Sequence, residues 1–237
     1  MIGPTNIRAL AKELNLSIGT VSKALRDSHE ISTETKEKVF ALAKKRSYTP
    51  NPYASSLRRK KSNTIGVVIP EVADSFFSHA IKGIESIAQS KGYHVLVYLT
   101  YESFVKEQAI LKAFNSGRVD GVLLSVSSET KNNKHIRELA DKDIPVVFFD
   151  RVSEDVSTAN VSTNDSESCF AATQLLIKKG CRRLAYMSIS KHLSINTKRI
   201  EGFTKALEVN DIKSGPSNII NCSNDNEKNY SVLQKIM

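Results

Sequence analysis

Residues 5–26 read TNIRALAKELNLSIGTVSKALR. Ile7, Leu10, Ala11 and Leu14 recur at helical spacing, so one helix is expected over residues 6–14, with Thr5 as its cap. Ser17 is a good N-cap for a second helix whose apolar positions are Ile18, Val21, Ala24 and Leu25. Only Asn15, Leu16 and Ser17 separate the two. Two short helices joined by so brief a turn form a helix-turn-helix. A third helix is expected after Ser32, with Glu34 in its first turn and Lys44, Lys45 and Arg46 in its last, matching the macrodipole at both ends. Val39, Leu42 and Ala43 face its core side.

The second helix has a thin apolar stripe. Thr20, Ser22 and Lys23 face away from it, and Gly19 lacks a side chain that would keep a partner at a distance. A helix that enters a groove of double-stranded DNA packs only through its back, here Val21 and Leu25, and presents its N-terminal residues to the base edges. A plain surface helix in a bundle is the alternative. Charge separates the two readings. Of the chain's net +9 over 237 residues, residues 1–63 carry +8, with 13 Lys and Arg against 5 Asp and Glu. A basic small domain ahead of a nearly neutral larger one points to a polyanion partner. Next comes YTPNPYASSLRRKKSN, residues 48–63. Pro50 and Pro52 stop the third helix, Asn51 can cap a short one, and Arg58, Arg59, Lys60 and Lys61 follow. About two turns of helix are marginal alone in water, so this segment is expected either to order on DNA or to act as a solvated linker.

From Thr64 the pattern changes. Thr64–Ile69, Tyr93–Leu99, Gly121–Val126 and Pro145–Phe149 are apolar runs separated by helical stretches. One such stretch carries Phe76, Phe77, Ala80, Ile81, Ile84, Ile87 and Ala88; another carries Ile110, Leu111 and Phe114. Near-continuous apolar strands alternating with helices indicate a parallel sheet covered on both faces. A second series follows, with strands at Ala185–Ile189 and Asn218–Asn221 and helices near 166–179, 198–209 and 227–236. Two such series suggest two lobes.

The chain lacks a run of apolar residues long enough to span a bilayer, so no membrane association is expected. The N-terminus has no secretory pattern, and the sparse cysteines Cys169, Cys181 and Cys222 suit free thiols, so a cytoplasmic protein is expected. No Gly-rich phosphate loop follows a strand. There is no nucleophile motif and no metal spacing. His29, His79, His94, His135 and His192 are scattered and read as surface or internally satisfied residues. No cofactor, no metal site, no catalytic residue and no enzymatic activity are expected.

The combination AKELNLS, TVSKAL, ISTETKEKV, YTPNPYASSL and TIGVVIP resembles the start of a LacI/GalR-family bacterial transcription regulator, and the similarity continues to the end of the chain. The resemblance implies an all-α helix-turn-helix domain over residues 1–50 and a hinge helix and basic linker over 51–63. Residues 64–237 would then form a periplasmic-binding-protein-like α/β domain with parallel sheets and an incomplete second lobe. Ile18, Gly19, Ser22 and Lys23 match base-facing positions. Thr5, Ser17 and Thr20 match phosphate-contacting or capping positions. Leu57 matches the hinge leucine that wedges into the minor groove, which kinks DNA by partly unstacking a step. Tyr53, Ser56 and Arg58 belong to the same hinge, and Arg26 stands where many members have asparagine. Neither Ile18 nor Gly19 can make a bidentate base contact; Ile18 can touch a thymine methyl.

Open α/β lobes bind ligands beyond the carboxyl ends of their strands. Asp150, closing PVVFFD, and Arg199, in TKRIEGF, match effector-contacting positions of the family. Phe76 and Phe77 match the segment lining that crevice. One Asp to accept and one Arg to donate suit a polyhydroxylated sugar. Asn164 and Asp165 stand in the opposite order from many relatives. The resulting expectation is a DNA-binding regulator of double-stranded operator DNA, a homodimer, acting as an effector-responsive repressor of a carbohydrate-utilisation operon. The rivals are a truncated DNA-binding form without effector response, a sugar-binding protein and an α/β enzyme.

Overall fold

A computed structural model describes residues 6–49, 61–73, 75–188, 190, 193–222 and 226–234. The chain divides into two compact units, Met1–Arg59 and Lys60–Met237. Thr5, Tyr53, Ser56, Leu57 and Arg58 lie outside the described residues.

The first unit holds three helices: α1 (Ile7–Glu13), α2 (Ile18–Ala24) and α3 (Thr33–Lys45). The cap of α1 is Asn6 rather than the expected Thr5. Asn6 has extended backbone, and its Oδ1 accepts the Ala9 N–H at 3.0 Å. Ser17 caps α2 as expected, its Oγ accepting the Thr20 N–H at 3.0 Å, and Ser32 does the same for α3. The turn between α1 and α2 is made by Asn15, whose φ of 53° is left-handed. There the Leu16 N–H reaches the Ala11 carbonyl at 2.9 Å and the Asn15 N–H reaches Lys12 at 3.2 Å. This pair of bonds satisfies the last carbonyls of α1 and reverses the chain; asparagine tolerates it because its short polar side chain is at ease in the left-handed region. Ser47 and Tyr48 end α3 in the same way. Leu10, Ala11, Val21, Ala24, Val39 and Ala43 close the core, with Ile7, Leu14, Leu25 and Leu42 at its margin.

In the second unit, β1 (Thr64–Ile69), β2 (His94–Leu99), β3 (Gly121–Leu124), β4 (Val146–Phe149) and β5 (Asn160–Val161) form one parallel sheet in the order β2-β1-β3-β4-β5. The helices α4 (Ser75–Ser90), α5 (Phe104–Phe114) and α6 (Lys134–Ala140) cross between the strands. Parallel pairing demands such crossovers. Gly66 sits under the Phe114 ring, and an added Cβ there would fall 2.8 Å from it. Phe148, Leu124, Leu111, Leu139 and Ile136 pack one face, and Val67, Ile69, Phe77 and Phe149 the other. β1 is buried at nearly every position, whereas β2 is an edge strand with Leu96 and Val97 exposed. Ile87, expected on the apolar face of α4, is also exposed.

The second series gives α7 (Asp165–Lys178), β6 (Tyr186–Ser188), α8 (Ser194–Glu208), β7 (Ile219–Asn221) and α9 (Asn226–Gln234), with β6 and β7 paired in parallel as a separate two-stranded sheet. Helix α8 begins at Ser194, a turn earlier than expected. Helices α7 and α8 pack so closely that a Cβ on Gly202 would fall 2.0 Å from the Ser166 carbonyl oxygen. Leu175, Met187 and Val209 are exposed in this part of the unit.

Candidate functional site

Two surfaces carry the residues singled out by sequence. The first is the outer side of α2. Val21 and Ala24 are fully buried, while Ile18 is 46% exposed and Ser17, Gly19 and Arg26 are exposed beside it. Thr20, Ser22 and Lys23 are half-buried. An added Cβ at Gly19 would meet only Ser17 Oγ, at 3.5 Å, so nothing inside the unit requires a glycine there. Several of the polar groups are already engaged. Ser17 Oγ and Thr20 Oγ1 share a hydrogen bond of 2.8 Å, and Arg26 Nε donates to the Ser22 carbonyl at 2.9 Å. Lys23 pairs with Glu30 rather than presenting a bare charge. That pair holds the exposed Glu30 carboxyl below its ordinary range, chiefly through the hydrogen bond from Lys23.

The second surface is a crevice of about 280 Å³ in the second unit, lined by Phe76, Phe77, Asp150, Arg151, Thr163, Ser190, Leu193, Ile195, Asn196 and Arg199. All four residues expected to contact an effector, Phe76, Phe77, Asp150 and Arg199, lie on it. Their roles differ. Phe77 is mostly core, only 4% exposed and edge-on to Phe149, with ring centroids 6.3 Å apart. Phe76, edge-on to Phe77, is 41% exposed.

Asp150 follows β4 directly, in the left-handed region at φ 61°. Its N–H donates to the Val161 carbonyl at 2.9 Å, which pins the turn. Ser125 Oγ donates to its Oδ2 at 3.4 Å, and Arg151 Nε lies 3.8 Å from the same oxygen. Burial raises the Asp150 carboxyl above the usual range for an aspartate; the Arg151 and Arg199 guanidiniums partly offset it.

Arg199 projects from α8 and donates through Nε to Asp165 Oδ1 at 2.8 Å. Asp165, in the first turn of α7, is 5% exposed and takes a second bond from Thr163 Oγ1 at 3.0 Å. The Asn164-Asp165 order therefore serves the crevice: the acid holds the arginine, and Asn164 Oδ1 accepts from Ser168 Oγ at 2.9 Å. Asn196 fixes the start of α8 to β6. Its Nδ2 donates to Ser188 Oγ at 3.0 Å, and its Oδ1 accepts from the Tyr186 hydroxyl at 3.0 Å.

Sequence reasoning singled out Asp165 only for its order with Asn164, and missed Asn196, Arg151 and Glu102 beside this site. Arg151 Nη1 donates to both oxygens of Glu102, at 2.8 and 2.9 Å. Both residues follow the carboxyl ends of strands, a position that by itself marks them as candidates. A further buried cluster adjoins Glu102, whose Oε2 accepts the Ser128 N–H at 2.7 Å next to the Ser127 N–H held by Glu107. Glu107, fully buried, accepts from the Ser127 N–H at 2.7 Å and Thr130 Oγ1 at 2.9 Å, and pairs with His135 Nε2 at 2.8 Å. His135 is thus an interior residue held by an acid. Among the described residues no group of side chains is arranged to hold a metal ion, and no helix is long and apolar enough to cross a membrane.

A helix-turn-helix unit followed by a parallel-sheet domain with a mixed polar and apolar crevice at the carboxyl ends of its strands defines the class: a helix-turn-helix module joined to a periplasmic-binding-protein-like domain. Residues 62–237 match the model for periplasmic binding proteins and the sugar binding domain of the LacI family, and residues 6–51 match the model for bacterial regulatory proteins, lacI family. The chain belongs to the LacI family. It is 32% identical over 209 residues to a ribose operon repressor of Halalkalibacterium halodurans, covering 88% of this chain and 61% of the relative. It is 29% identical over 214 residues to catabolite control protein A of Staphylococcus aureus, covering 90% and 64%. The chain thus spans less than two thirds of the length of these relatives. Its fold is similar to that of the lac repressor dimer bound to operator and the anti-inducer ONPF, with a TM-score of 0.77 at 20% identity over 98% of this chain and 71% of that one.

Proposed function

We propose that this protein is a sequence-specific DNA-binding transcriptional regulator, an effector-responsive repressor of a carbohydrate-utilisation operon, acting in the cytoplasm as a homodimer and not as an enzyme. The observation that carries the reading is the division of α2. Val21 and Ala24 are sealed into the core while Ile18, Gly19 and Arg26 stand exposed on a glycine-thinned surface. A helix that needed only to stabilise a bundle gains nothing from an exposed isoleucine beside a glycine; a helix that enters the major groove uses both.

In this reading Ile18, Gly19, Ser22 and Lys23 face the bases. Thr5, Ser17, Thr20 and Arg26 serve the phosphates or the cap. Tyr53, Ser56, Leu57 and Arg58 form the hinge, with Leu57 as a minor-groove wedge. Ser17 Oγ accepts the Thr20 N–H, and with Thr20 Oγ1–H donating to it as well, the Ser17 O–H is left to donate to a phosphate. Basic residues 58–61 supply salt-dependent affinity, while α2 supplies discrimination. In the second unit, Phe76, Asp150 and Arg199 contact a sugar, with Phe77 behind them. Both family matches support this reading, and so does the ribose operon repressor among its relatives.

Selection of bound duplexes from a random pool tests it. A near-palindromic sequence should emerge, and Leu57→Ala should lower affinity for that sequence by at least tenfold, about 1.4 kcal/mol. A pool that never converges contradicts DNA recognition, and unchanged affinity in Leu57→Ala contradicts the wedge.

A further inference from the structure

The loop that follows α2 carries an acid to the outer side of that helix. Resting on the DNA-binding reading above, we infer that Glu30 is a specificity-determining residue that reads one G·C base pair of the operator half-site together with Lys23, the lysine at the guanine and the glutamate at the cytosine amino group.

Backbone geometry brings the acid there. The chain leaves α2 through Asp27, in the left-handed region at φ 57°, and the Ser28 N–H closes on the Lys23 carbonyl at 3.1 Å. Lys36 of α3 pins this turn, reaching the Asp27 carboxylate at 2.7 Å and the Asp27 carbonyl at 3.3 Å. The Ile31 N–H then returns to the Ser28 carbonyl at 3.2 Å, and the Ile31 side chain packs against the core of the unit. Glu30 stands between these two anchors, and its carboxylate pairs with the Lys23 ammonium. The side chains are 41% exposed at Lys23 and 53% at Glu30, so both are open to a partner. An exposed pair of this kind adds little to stability, and the fold does not depend on it. The hydrogen bond from Lys23 holds the Glu30 carboxyl below its ordinary range, which keeps it an ionised acceptor at neutral pH.

A carboxylate one hydrogen bond away from a base-facing ammonium gains nothing from the phosphates, which repel it. Its match is a donor on a base edge, the cytosine N4 or adenine N6 amino group. The lysine decides between them. One of its three hydrogens is held by Glu30, which leaves two to donate. Across the major groove a G·C pair presents the guanine N7 and O6 acceptors and then the cytosine N4 donor, so two lysine bonds and one glutamate bond form together. An A·T pair sets the adenine N6 donor between its two acceptors, N7 and the thymine O4, and one lysine bond is lost. Glu30 thus turns Lys23 from a general cation into half of a two-part reader. Ile18 and Gly19 cannot supply such a contact, so the polar discrimination falls to this pair.

Selection from a random pool with the full wild-type chain supplies the duplex for the test. N4-methylcytosine is then placed at each cytosine of one half-site in turn. This base keeps its pairing hydrogen and carries a methyl where the other hydrogen points into the major groove. Fluorescence anisotropy should show a loss of about tenfold at one cytosine for the wild type, and of less than about twofold at the same cytosine for Glu30→Ala. The variant should unfold at the same denaturant concentration as the wild type, because the pair is exposed. Losses that are equal in the two proteins at every cytosine, or absent throughout, overturn the inference and leave DNA recognition standing. A pool that never converges overturns both.

Discussion

Arg199 Nε and Asp165 Oδ1 stand 2.8 Å apart, joining the crevice side of α8 to the first turn of α7. The acid is buried, while the arginine side chain is 41% exposed, so one end of the pair is fixed and the other lines the crevice. Asp165→Ala should cost about 1–2 kcal/mol in denaturant unfolding, the lower part of the range for charged hydrogen bonds because solvent screens the arginine. Sugar affinity should fall by roughly tenfold, since the freed guanidinium loses its orientation. Lysine at position 199 should not restore binding, because an ammonium cannot bond Asp165 and a sugar oxygen through separate fixed N–H groups.

The approach of α7 to α8 at Gly202 offers a packing test. An added methyl would meet the Ser166 carbonyl oxygen at 2.0 Å and the Phe170 nitrogen at 3.0 Å, both backbone atoms that cannot rotate away. Gly202→Ala should therefore destabilise by about 2–3 kcal/mol in chemical denaturation. Gly83→Ala in α4, where a Cβ meets nothing within 4 Å, should instead stabilise by roughly 0.5–1 kcal/mol through helix propensity.

Gly19 separates folding from recognition. A Cβ there makes only an ordinary contact with Ser17 Oγ, so Gly19→Ala should leave unfolding free energy unchanged or raise it by a few tenths of a kcal/mol. Affinity for the selected duplex, measured by fluorescence anisotropy, should nonetheless fall by about tenfold, because the methyl intrudes where the backbone approaches DNA. Equal affinity would mean that α2 does not enter the groove through this residue.

Asp150 sets a pH dependence. Burial raises its carboxyl above the ordinary aspartate value, and a hydroxyl-bearing ligand needs the ionised form as acceptor. Binding is then full at neutral pH. It is lost as pH falls through the raised value, at a higher pH than an exposed aspartate would give. Calorimetry across pH 4–7 should show this decline, and Asp150→Asn should flatten it at a uniformly lower affinity.

Much of this arrangement is legible in the sequence, for identifiable reasons. β1, β3 and β4 are buried on both faces and read as unbroken apolar runs, as parallel strands must. The helix-turn-helix is legible because Ser17 caps α2 through its own side chain and the apolar positions repeat within two turns. β5 was not expected: two residues carry no period. The start of α8 was misplaced because Ser194, Asn196 and Thr197 look like loop, yet Ile195 and Asn196 are buried against their neighbours. The start of α1 falls one residue from the expected cap, because the adjacent Thr5 and Asn6 are both residue types that cap helices. The four crevice residues came from family positions. Asp165 was noted at a family position, but its pairing with Arg199, 34 residues away, was not legible, nor was that of Glu102 with Arg151, 49 residues away. Glu107 carried an overlooked signal. It falls in helical register with Leu111 and Phe114, which places it on the buried face of α5, and only tertiary structure supplies the Ser127 N–H, Thr130 and His135 that satisfy it.

The most direct test of the whole account is the affinity of the full chain for its selected duplex, by anisotropy, with and without a saturating concentration of the free sugar that binds. The account predicts at least a tenfold loss of DNA affinity on adding sugar to the wild-type protein and no change in Arg199→Ala, whose DNA binding without sugar is intact. DNA affinity unchanged by saturating sugar in the wild type would contradict it.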